Sequence, residues 1–169
     1  LDVIAYPTMF ASEGGELDTL GRLERWTLDP TTQRVERRVI DQAAQEFPRI
    51  DERRFGQRYR YAYTVSVPAD GNPQLAGATT LYKHDLETGE RRVHAFGEHH
   101  VPGEFVFVPA SEGAGEDEGW LMGFVIDTAH ETTDFAILDA RSFEAPPLAI
   151  VRLGHRIPPG FHGNWFPMP

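Results

Sequence analysis

The stretch Leu81-Tyr82-Lys83-His84-Asp85-Leu86-Glu87-Thr88-Gly89 reads as a strand that ends on an aspartate and enters a polar turn. Arg25-Trp26-Thr27-Leu28-Asp29-Pro30-Thr31-Thr32 and Phe135-Ala136-Ile137-Leu138-Asp139-Ala140-Arg141-Ser142 have the same form. Aspartate suits this place because its side chain can accept from the turn backbone. Asp29, Asp85 and Asp139 lie 56 and 54 residues apart. A second landmark follows each hairpin: Gln45-Glu46-Phe47-Pro48, Gly103-Glu104-Phe105-Val106 and Phe161-His162-Gly163-Asn164. Its members, at 46, 104 and 162, are 58 residues apart. An all-β repeat of this length fits a four-stranded propeller blade. Three units fit the chain, whereas a propeller closes with about four to eight blades. The alternative is a β-sandwich of unrelated hairpins.

Outward from the hairpins, period-two alternation is common and helical periodicity nearly absent. Tyr59, Tyr61, Tyr63, Val65 and Val67 alternate with smaller or polar residues, which predicts a strand with one buried face. Leu1 to Tyr6, Arg34 to Ile40, Thr79 to Asp85, Phe105 to Pro109, Trp120 to Asp127, Thr133 to Asp139 and Leu148 to Leu153 read as further strands. Glu112 to Gly119, acidic and glycine-rich, is expected to be a solvated surface connection rather than a metal site.

Composition narrows the function classes. The 169 residues amount to one domain by length, and 40% are hydrophobic. With 16 Lys+Arg against 26 Asp+Glu the net charge is −10, which argues against nucleic-acid binding. No apolar run nears the ~18 residues of a membrane span. Cysteine is absent, which removes disulfides, thiolate metal sites and a cysteine nucleophile without identifying the compartment. The chain starts at Leu1, already in a strand, and is expected to begin inside a larger protein; Pro167-Met168-Pro169 is expected to close the domain.

In a propeller the innermost strand of each blade lines the central channel, so Glu46, Glu104 and His162 would face one axis. Imidazole binds first-row metals, and carboxylates either ligate or orient neighbouring imidazoles. Spacing alone leaves open whether these residues form a metal environment or are two blade-edge carboxylates and a packed core histidine.

The ending Ile157-Pro158-Pro159-Gly160-Phe161-His162-Gly163-Asn164-Trp165-Phe166 resembles the C-terminal motif of the carotenoid cleavage oxygenases. Glu46-Phe47-Pro48-Arg49-Ile50-Asp51 with Tyr59-Arg60-Tyr61-Ala62-Tyr63, and Pro102 to Pro109 with Gly119-Trp120-Leu121, resemble two further blocks of that family. The resemblance implies an all-β fold, the C-terminal three or so blades of a seven-bladed β-propeller, with residues 1–169 as part of one oxygenase domain. It also implies Fe(II) held by four histidines, three of them hydrogen-bonded by glutamates. His162 matches the last iron ligand, and Glu46 and Glu104 match two of those glutamates. The implied reaction is O2-dependent cleavage of a C=C bond in a carotenoid, apocarotenoid or stilbene-like substrate, giving carbonyl products. The apolar polyene or stilbene and O2 are the expected partners. Membrane contact would fall to segments outside this chain, and the expected location is the cytoplasm.

The other family ligands would lie upstream of Leu1, so the chain alone is expected to be inactive. His84, His94, His99, His100, His130 and His155 are expected to take surface or turn roles. His99 and His100, being adjacent on a strand, would point to opposite faces and could hardly share an ion. Phe105, Phe107, Trp165 and Phe166 are candidates for packing around the site, with propeller core the expected role. The competing functional readings are a non-enzymatic propeller or sandwich interaction module, and a hydrolase. The hydrolase is weak because no Gly-x-Ser-x-Gly element occurs.

Overall fold

A computed structural model describes residues 1–8, 20–68 and 78–167; Met168 and Pro169 of the expected closing segment lie outside the described residues. Among the described residues twelve strands form three successive antiparallel sheets. The first holds β1 (Asp2–Ala5), β2 (Arg22–Asp29) and β3 (Arg34–Asp41). The second runs β4 (Gln45–Arg49), β5 (Tyr61–Ser66), β6 (Thr80–Asp85) and β7 (Arg91–Ala95) in chain order. The third centres on β10 (Gly119–Asp127). Both β8 (His100–Pro102) and β9 (Val106–Pro109) pair with it on one side and β11 (Thr132–Asp139) on the other, with β12 (Ala149–Arg152) outermost. Among the described residues the only helical turn is the 3-10 segment Glu52–Arg54. Sheets in sequence, each meandering from an inner to an outer strand, are successive blades of a β-propeller. They do not close a ring.

The repeat rests on one piece of side-chain chemistry. Asp29 Oδ1 accepts from the backbone of Thr31 and Thr32, Asp85 Oδ1 from Glu87 and Thr88, and Asp139 Oδ1 from Arg141 and Ser142. Asp127, at the β10–β11 tip, does the same for Ala129 and His130.

The core lies between the second and third sheets. Tyr63 and Val65 from β5 and Leu81 from β6 meet Phe105, Phe107, Leu121, Leu138 and Phe143. Phe105 and Phe107 are therefore core, as expected. Trp165 and Phe166 are not: they are exposed, in a segment with no strand partner.

Three further expectations are corrected. The strand β5 is buried on both faces, because Ala62, Thr64 and Ser66 are covered as well as Tyr63 and Val65. Its second face carries a polar cluster: Thr64 Oγ1 donates to Gln45 Oε1, and His84 Nε2 lies 2.8 Å from that oxygen and 3.1 Å from the hydroxyl. His84 and His94 are thus interior residues rather than surface ones, 3% and 5% exposed. Burial pushes the His84 imidazole down to about 4 and lowers that of His94, whose Nδ1 meets the Phe143 carbonyl at 2.9 Å.

The third correction concerns Glu112 to Gly119: Glu112 and Gly113 are exposed as expected of a surface connection, but from Ala114 to Glu118 it is half-buried and acts as a clasp. Glu116 accepts from the backbone N–H groups of Arg60 and Tyr61 on the preceding blade. Arg53 reaches back to donate to the carbonyls of Ser111 and Glu112. The buried Lys83 ammonium donates to Asp117 Oδ2 at 2.8 Å and to the Ala140 carbonyl at 2.7 Å, 4.2 Å above the Tyr61 ring. Glu116 and Asp117 find partners on another sheet, which local composition does not reveal, while Arg141 of the same blade stands near Asp117 and Glu118.

Candidate metal centre

Glu46 and Glu104 both sit where the inner strand of a blade is interrupted by one extra residue. On β4, Glu46 pairs with Val65 and Arg49 with Tyr63, so three steps on one strand match two on the other. Phe47 takes up the extra residue with a φ of 54°, a left-handed value that costs a residue with a side chain about 1–3 kcal/mol. Pro48 is tolerated because β4 is an edge strand and its missing N–H breaks no ladder. On the third blade, Pro102 pairs with Val125 and Val106 with Met122, so four steps match three, and Glu104 falls inside the gap. Such bulges re-aim side chains and are over-represented beside active sites. Gly123 lies opposite the gap because the Phe105 ring occupies its Cβ position, 2.4 Å from where that atom would stand.

The structure brings Glu104 and His162 together across 58 residues. His162 Nδ1 lies 3.2 Å from Glu104 Oε1, and Glu104 Oε2 accepts from the Gly163 backbone N–H at 2.8 Å. The carboxylate side chain is 5% exposed and that of His162 64%. An ionised carboxylate only accepts, so the proton of this bond sits on Nδ1, and the neutral form of the ring then has its lone pair on Nε2. The Phe47 and Phe161 rings stand edge-on to the imidazole, with centroids 5.7 and 4.8 Å away.

Arg49 completes the surroundings. Its NH1 lies 3.6 Å from Glu104 Oε1; its NH2 donates to Glu52 Oε1 at 2.8 Å and to Asn164 Oδ1 at 3.1 Å. Asn164 Nδ2 donates in turn to Glu52 Oε2 at 3.2 Å. Sequence reasoning placed Arg49 only inside a family block; its partners lie too far along the chain for local pattern to expose.

Glu46 is not paired with His162. It accepts a hydrogen bond from the Tyr6 hydroxyl, whose pKa is raised by burial first and by this carboxylate second. Its link to the centre runs through its neighbour Phe47, packed against the His162 ring. Among the described residues no three His, Asp or Glu side chains converge to hold a metal ion. What they offer a metal is one imidazole with an oriented lone pair, which suits one position of a first-row metal and not a whole shell.

The family model described as retinal pigment epithelial membrane protein matches residues 3–167. A carotenoid cleavage oxygenase of Mycobacterium tuberculosis is 40% identical over 99% of this chain and 34% of its own length. The chain belongs to the carotenoid cleavage oxygenase family. Two other members are apocarotenoid-15,15'-oxygenase of Synechocystis, 35% identical over 86% of this chain and 29% of its own, and resveratrol cleavage oxygenase 1 of Botryotinia fuckeliana, 31% identical over 95% and 30%. The crystal structure of the cobalt-substituted Synechocystis apocarotenoid oxygenase superposes with a TM-score of 0.87 at 32% identity, covering 99% of this chain and 36% of that one. This family member therefore spans about a third of the length of the curated relatives it matches.

Proposed function

We propose that these blades form part of a non-haem iron(II) oxygenase that cleaves a C=C bond of a carotenoid, apocarotenoid or stilbene-like substrate with O2, giving carbonyl products. The reaction class follows from the relatives, named as carotenoid, apocarotenoid and resveratrol cleavage oxygenases. The observation that carries the metal reading is the His162–Glu104 bond, which presents the Nε2 lone pair beside a buried carboxylate. A related oxygenase accepting cobalt supports a first-row metal there.

His162 would hold the iron, with three further imidazoles supplied by blades other than these three. The iron would supply a redox centre for O2. The chain's own contribution is orientation and charge. Glu104 fixes the His162 tautomer and ring plane and sets a negative charge beside an otherwise neutral set of ligands. Glu46 would do the same for a histidine not among these residues, with Tyr6 holding its carboxylate meanwhile. Phe47 and Phe161 give the imidazole two aromatic neighbours, a setting that suits an apolar substrate. With one imidazole the chain alone would bind iron weakly and turn over nothing.

The test is anaerobic loading of the chain with Fe(II), followed by metal analysis and an O2-dependent polyene cleavage assay. Weak, His162-dependent binding without turnover is expected. Stoichiometric iron with turnover would overturn the assignment of His162 as one ligand among four.

A further inference from the structure

We propose that Arg49 is a positioning residue for the His162 imidazole: its guanidinium fastens the 161–165 segment and the Glu104 carboxylate to the second blade in one geometry. The inference rests on His162 being the metal-bearing side chain and goes beyond it by naming what holds that side chain still.

The need for such a residue is physical. Residues 153–167 contain no strand, so no backbone ladder fixes His162. A ligand must sit within about half an ångström of its working geometry, with a rotamer locked by its surroundings. The described side-chain bonds that reach residues 162–164 from other elements come from three residues only: Glu104, Glu52 and Arg49. Arg49 is the one of these that touches the other two and the segment as well.

Its shape matters as much as its charge. NH2 serves Glu52 and Asn164, while NH1 stands towards Glu104 Oε1, the same oxygen that His162 Nδ1 meets. A planar fork can satisfy acceptors on two sides at once; an ammonium cannot span them. The Asn164 amide closes a ring by accepting from Arg49 and donating to Glu52. The β4 bulge is what makes this reach available. Positions 46 and 49, an odd number apart, would leave a regular strand on opposite faces. The extra residue sets them opposite Val65 and Tyr63, which project from one face of β5.

The experiment compares Arg49→Met, Arg49→Lys and His162→Ala in the same protein by two readouts. One is the proton-detected imidazole spectrum, in which a hydrogen-bonded His162 Nδ1–H is resolved without any metal. The other is Co(II) affinity. Arg49→Met is expected to broaden or lose the Nδ1–H signal and to weaken Co(II) about 10-fold, the lower end for losing an outer partner of a ligand. Arg49→Lys should recover less than half of either effect. Backbone resonances should move only around residues 46–54, 102–106 and 158–166, which separates local release from misfolding. An unchanged Nδ1–H signal in Arg49→Met overturns the proposal, as does full recovery by lysine. If His162→Ala leaves Co(II) binding intact, the metal reading fails; the imidazole signal still decides whether Arg49 holds His162 in place.

Discussion

Lys83→Met is the sharpest test of how the blades are joined. The substitution keeps most of the side-chain volume and removes the ammonium. Asp117 then loses its 2.8 Å partner and the Ala140 carbonyl loses a 2.7 Å donor. Breaking a buried ion pair from one side costs about 3–5 kcal/mol, because the remaining charge is left uncompensated. Asp117 is partly exposed and retains Arg141 at 3.5 Å, which points to the lower end. The expected loss is about 3 kcal/mol, or roughly 6–12 °C in Tm for a chain of this size. Urea unfolding followed by tryptophan fluorescence measures it. Asp117→Asn in the Lys83→Met background should cost less than the sum of the single changes, since no unpaired charge then remains. A stability within about 0.5 kcal/mol of the parent for Lys83→Met, or strict additivity in the double variant, would refute the clasp as a source of inter-blade stability.

Glu104→Ala should weaken metal retention roughly 10–100-fold, read by equilibrium dialysis against Co(II). Gly123→Ala should displace the Phe105 ring, cost about 1–3 kcal/mol in chemical denaturation and disturb the His162 imidazole spectrum through the neighbouring Glu104. His84 is held neutral in the folded state, with a value of about 4 against an ordinary 6.5, so the unfolded chain binds the extra proton between those values. Stability should therefore be intact above pH 6.5 and fall by about 3 kcal/mol towards pH 4; His84→Gln should flatten that limb in urea midpoints taken across the range.

The sequence carried the hairpins plainly because their signal is local. An aspartate three residues before the end of its own turn can be seen, and Asp29, Asp85 and Asp139 do in the structure what their spacing implied. The pairing of Glu104 with His162 was accessible through the repeat, which put both at one phase of the blade. The bulges were not, since an extra residue that breaks alternation looks like the end of a strand. His84 was misplaced because its partners, Gln45 and Thr64, sit on two other strands. The acidic loop was misread for the same reason: its acceptors answer donors from Arg53, Arg60, Tyr61 and Lys83 on another blade.

The ring joining Arg49, Glu52 and Asn164 has a consequence for the order of assembly. Arg49 and Glu52 are three residues apart and can pair as soon as that turn exists. Asn164 is 115 residues further along than Arg49. At a synthesis rate of about 5–20 residues per second it emerges roughly 6–23 s later. The early pair is then a waiting receptor, already charged and shaped, and the late segment has only to dock onto it. The His162 ring is therefore oriented only once this late segment has docked, and a product truncated before Asn164 would lack the bond that ties the segment to Arg49.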